Sequence, residues 1–137
     1  MAKLNKAGVT NMKIAALLLV VTLTGCASVK DMVPSFWDDN QAKAIIDVRQ
    51  SVIQLNCKQE HLPQAEKIFN HVQWFELYSE SRGHKDMEKL TKPLHDTAKE
   101  FLDRSKIKQG SEVYCELKKK FLIQQSQIAA TAIMGRF

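Results

Sequence analysis

Apolar residues recur at three- and four-residue intervals in four stretches of this chain, the spacing of amphipathic helices. Ile45, Val48, Val52 and Leu55 trace a narrow seam that predicts a first helix from Phe36 or Asn40 to Asn56. Ser35 and Asp38, three residues apart, resemble a capping box ahead of it. Ala65, Ile68, Phe69, Val72 and Phe75 share one face of a second helix. Leu62-Pro63 opens that helix with proline at its first position, and Gly83 ends it with Arg82 in the last turn. Met87, Leu90, Leu94, Ala98 and Phe101 form the seam of a third helix starting near Lys85 or Asp86. Pro93 lies inside this pattern and is expected to kink the helix or split it at Lys92. Gly110-Ser111 then punctuates the chain, and Ser111 caps a fourth helix. The expected buried face of the fourth is Val113, Leu117, Phe121, Ile128 and Ala132, interrupted by Gln124 and Gln125. No stretch sustains the two-residue alternation of a half-buried strand, and no internal repeat appears.

Four such helices joined by short connections predict an all-α fold, a small antiparallel up-down bundle over residues 36–137. The stretch before it reads differently. Residues 1–13 carry Lys3, Lys6 and Lys13 and no acid, and Ile14 to Val21 form an unbroken apolar run. That run is too short to span a bilayer, which takes about 20 residues. It fits the apolar core of an export signal. Either Met1 or Met12 serves as the start, because the stretch from Met12 is a complete signal by itself.

Leu23-Thr24-Gly25-Cys26 resembles the lipobox of bacterial lipoproteins, and the resemblance covers residues 12–27. It implies that the Cys26 thiol is diacylglycerylated, that the chain is cut before Cys26, and that the new amine is acylated, as with palmitate. One acyl chain holds a protein only weakly, whereas two or three make release negligible. In this family an Asp after the lipidated cysteine often means retention at the inner membrane. Ala27 stands there, which implies sorting to the outer membrane of a Gram-negative host. The expected division is a cleaved signal peptide over 1–25, a lipidated tether over 26–35 and the bundle over 36–137. A plain secretory signal and an uncleaved anchor are the alternatives.

Export changes how charge and cysteine are read. Three of the 20 basic residues leave with the leader, so 17 face 15 acids in the remainder. The excess of positive charge belongs mostly to the leader and is no argument for nucleic acid as a partner. Cys57 and Cys115 remain, an even count in an oxidising compartment. Cys57 falls just past the first helix and Cys115 in the first turns of the fourth, which meet at one end of an up-down bundle. A disulfide there joins first helix to last; two buried free thiols are the alternative.

Few residues suggest chemistry. Trp74, Leu77 and Tyr78 fall off the main seam of the second helix and are the candidate partner-binding residues. They belong to the core instead if that helix buries both faces. His61, His71, His84 and His95 lack metal-ligand spacing, although His71 and His95 could face each other across helices two and three. Asp96, Glu100 and Arg104 suggest solvent-face pairing at helical spacing. Lys118-Lys119-Lys120 reads as a solvated face, with binding to anionic lipopolysaccharide or glycan as the functional alternative. No phosphate-binding glycine loop or nucleophile elbow is present. No catalytic residue, metal or cofactor is therefore expected.

The expected role is a non-catalytic interaction or structural module of the cell envelope. It would be anchored to the outer membrane and face the periplasm, with another envelope protein as partner and an oligomeric state left open. Pro34 to Asn40, Val113 to Lys119 and Gly135-Arg-Phe137 resemble small lipoproteins of bacteriophages and their hosts. That resemblance implies two sharper roles, an outer-membrane spanin subunit in host lysis or a superinfection-exclusion lipoprotein. Outer spanin subunits are often proline-rich, and this chain has 3 prolines.

Overall fold

A computed structural model describes residues 37–136 of the chain. The leader, the lipobox with Cys26, the tether, Ser35, Phe36 and Phe137 lie outside the described residues. Four helices follow in order: α1 (Asp39–Ile53), α2 (His61–Ser81), α3 (Lys85–Ile107) and α4 (Glu112–Met134). Each packs on its neighbour in sequence, and α4 closes the ring by packing on α1. The described chain is thus an all-α up-down bundle.

Local chemistry explains each boundary. Asp38 is the N-cap of α1, its carboxylate accepting from the amides of Asn40 and Gln41 at 2.9 and 3.1 Å. These are donors that a helix start leaves unpaired. α1 ends at Ile53, three residues short of the expected Asn56, because the Gln64 side chain captures the backbone of the following turn. It accepts from the Asn56 amide and donates to the Asn56 and Glu60 carbonyls. α2 starts at His61, so Pro63 sits third rather than first, still within the turn where a missing N–H costs no helical bond. Gly83 leaves α2 with φ of +73°, a left-handed turn that favours glycine. α3 runs unbroken through Pro93, so of the expected kink or split at Lys92 the split does not occur. Pro93 and Lys89 are both exposed, so water can take the place of the helical bond to the Lys89 carbonyl that proline cannot donate.

The core is drawn evenly from the four helices. Ile45, Val48 and Val52, then Ile68, Val72 and Phe75, then Leu94, Ala98 and Phe101, then Leu122, Ala129 and Ile133 are each at most 1 % exposed. The Cys57–Cys115 disulfide joins the end of α1 to the start of α4, with Cα atoms 5.5 Å apart. Beside it, buried His61 donates through Nε2 to the Cys57 carbonyl at 3.1 Å.

α4 corrects the sequence expectation. Its inward face is Cys115, Lys118, Leu122, Ser126, Ala129, Ala130 and Ile133. Of the expected face, Val113, Leu117, Phe121 and Ile128 are 79, 50, 45 and 50 % exposed, and only Ala132 is half-buried. Two constraints turn the helix this way: the bond from Cys115 toward α1, and the Lys118 ammonium, which meets Glu100 of α3 at 2.5 Å. Among the described residues no helix is long and apolar enough to cross a membrane.

Candidate partner-binding surface

Asp38 organises the end of the bundle where the chain enters. Besides capping α1, its carboxylate accepts from the Tyr78 hydroxyl at 3.0 Å and pairs with Arg82 Nε at 3.4 Å. Burial pushes this carboxyl up. The Gln41 amide, the Tyr78 hydroxyl, the Asn40 amide and the Arg82 charge outweigh that and hold it below the usual value of 3.8. Tyr78 is thereby fixed at its oxygen, which also accepts from Asn40 Nδ2 at 3.3 Å.

Trp74, one turn earlier on α2, stacks on the Tyr78 ring with centroids 5.3 Å apart and planes 9° from parallel. The sequence left Trp74, Leu77 and Tyr78 open between core and surface. The fold decides it: Trp74 is 52 % exposed, Leu77 59 %, and Tyr78 half-buried beneath Trp74. Leu77 stands about 60° round the helix from Trp74. Trp37, where the chain enters, is also exposed and donates its indole N–H to Asp39 at 2.6 Å. A groove of about 250 Å³ runs beside Trp74, lined by Asn40, Lys43, Ala44, Asp47 and His71. The result is an aromatic surface with little freedom to rearrange.

A buried polar network, which the sequence reading missed, supports it from below. Gln41 Nε2 donates to Ser79 Oγ at 2.8 Å, and Ser79 donates to the Phe75 carbonyl. Gln41 Oε1 accepts from Arg136 Nη1 at 2.9 Å, and Arg136 also pairs with Asp86. Arg136 is only 7 % exposed. The chain's C-terminal segment is therefore tied to α1 and to the start of α3. His84 lies close by; burial first, then the Arg136 charge, push its imidazole below the usual value. A glutamine, a serine and an arginine far apart in sequence carry no pattern that periodicity detects.

The remaining candidates separate. His71 does not face His95: its Nδ1 lies 3.2 Å from the Asp47 carbonyl of α1, and His95 meets Glu76 at 2.5 Å. Burial raises the Glu76 carboxyl despite the His95 hydrogen bond and charge. Asp96 pairs with Lys92, and Glu100 with Lys118, rather than forming the expected series with Arg104. The lysine run is not a solvated face. Lys118 is 9 % exposed and paired, Lys119 donates to the Leu55 carbonyl at 2.6 Å, and Lys120 is the exposed member. Among the described residues no group of three or more His, Cys, Asp or Glu is placed to hold a metal ion.

Compared with protein-family models, with curated proteins and with solved structures, the chain matches none.

Proposed function

We propose that this chain is a lipid-anchored, non-catalytic interaction module of a bacterial envelope. Cys26 holds it to the periplasmic face of the outer membrane, and Trp74, Leu77 and Tyr78 engage another envelope protein. The observation that carries the reading is the exposed Trp74 ring, locked on Tyr78, whose hydroxyl is bound by Asp38. A pre-ordered aromatic loses little side-chain freedom on binding, which is why such residues dominate interface energetics. The lipobox supplies the address. A tether of about 10 residues spans at most about 35 Å. The patch adjoins the residues at which the chain enters α1, so the partner is a protein of the same membrane or one lying against it.

A photoreactive amino acid at position 77 should crosslink one envelope protein in living cells, whereas the same group at position 99 on α3 should not. Trp74→Ala should abolish the product while leaving the helical content unchanged. Equal crosslinking from both positions overturns the surface assignment. Labelling with radioactive palmitate should be lost in Cys26→Ser; equal labelling of the two proteins overturns the anchor.

A further inference from the structure

The outer face of α4 is the least explained surface of the bundle. Val113, Leu117, Phe121 and Ile128 fall within about 80° of the helix circumference, opposite the buried face. All are 45 to 79 % exposed. Ile107, the last residue of α3, is 88 % exposed. A helix apolar on both faces is ordinarily buried on both, and a contiguous exposed patch marks an interaction site. The charges at its rim name the occupant. Glu116 and Lys120 sit on the same flank of the stripe, one turn apart. Neither has an ion-pair partner among the described residues. On α3, pairs of the same spacing close on themselves, Lys92 with Asp96 and Lys99 with Asp103.

We infer that α4 is a self-association surface, on which two copies of this chain pair their outer faces antiparallel about a two-fold axis near Leu117. Antiparallel helices related by such an axis bring like flanks together, so Glu116 of each copy meets Lys120 of the other. The same register sets Leu117 against its own counterpart and Val113 against Phe121. One axis therefore pairs Val113, Leu117 and Phe121, the apolar residues of the first half of this face, together with both free charges. A parallel pairing sets the Glu116–Lys120 flank against the opposite one, where Gln125 and the already paired Lys118 lie. It leaves both charges without complement. Trp74 is on α2, diagonal to α4 in the ring, and stays open. The inference is thus independent of the partner reading above. The arrangement also suits anchoring in one leaflet. A helix of 23 residues is about 35 Å long, so two bundles lying lengthwise keep both chain entries within tether reach.

Sedimentation equilibrium on the full-length chain in mild detergent tests this. Wild type should dimerise reversibly. Leu117→Glu, a half-exposed position that tolerates polarity in the monomer, should raise the dimer Kd more than about tenfold with unchanged circular dichroism. Glu116→Lys alone and Lys120→Glu alone should each weaken the dimer by about fivefold, since each change acts twice. The double swap Glu116→Lys with Lys120→Glu should return the Kd to within about twofold of wild type. A chain that stays monomeric at the highest concentration reached, or a dimer indifferent to Leu117→Glu, overturns the proposal. Singles that weaken without rescue by the double swap overturn the antiparallel register.

Discussion

α3 and α4 are neighbours of equal length, 23 residues each, and their outer faces are built on opposite plans. α3 places acids in its first turn and bases in its last, in accord with the helix dipole, and closes Lys–Asp pairs along its solvent side. Its apolar residues, the terminal Ile107 apart, therefore occupy one stripe. α4 has two. The inner one mixes alanines, a serine and a lysine with Leu122 and Ile133, and the outer one is the more apolar to the eye. The lesson is that periodicity identifies a face only where the opposite face is polar. On α4 the choice fell to long-range ties, the disulfide at Cys115 and the Lys118–Glu100 pair.

The comparison breaks most visibly if the inner face of α4 is released. Cys115→Ser should cost about 4 kcal/mol in urea unfolding, from the entropy of the 58-residue loop it opens. Amide exchange should rise first in the opening turns of α4. Adjacent residues then sharpen the contrast. Leu122→Ala, fully buried, should cost about 3 kcal/mol. Phe121→Ala, measured where the chain is dilute and monomeric, should cost about 0.5 kcal/mol. Equal losses from the two would mean the outer stripe is core after all.

Asp38→Ala carries the test to the aromatic patch, which differs from α4 in having a polar scaffold. Loss of the cap should cost about 1 kcal/mol. Because the folded carboxyl sits below its ordinary 3.8, its contribution is complete above that value. It disappears as pH falls through the lower folded one. Acid titration of tryptophan fluorescence should therefore show wild type and Asp38→Asn converging below about pH 4 and separated above it. The smallest effect is expected on α3. Lys99→Ala removes an exposed ion pair and should leave the melting temperature unchanged.

Three of the four buried seams were legible in sequence: on α1, α2 and α3 the longest run at three- and four-residue spacing is the buried one, although Ile46, Ile53, Trp74 and Leu77 lie exposed off it. The bridge was legible too, since helix order alone puts Cys57 and Cys115 at one end. One clue to α4 lay in that bridge: a cysteine bonded toward α1 turns Val113 and Leu117, each two residues away, to the far side. The aromatic patch was legible as a candidate but not as a surface. Whether Trp74 points to solvent depends on how many neighbours α2 has, and the ring arrangement gives it two.

Helical periodicity, turn residues and cysteine placement follow from short-range geometry, and they determined the helices, their order and the disulfide. Which stripe of α4 turns inward, how Asp38 locks Tyr78 beneath Trp74, and how Arg136 reaches Gln41 and Asp86 were decided only in the folded chain. Those contacts join residues tens of positions apart, and their energies come from desolvated partners that no local pattern specifies.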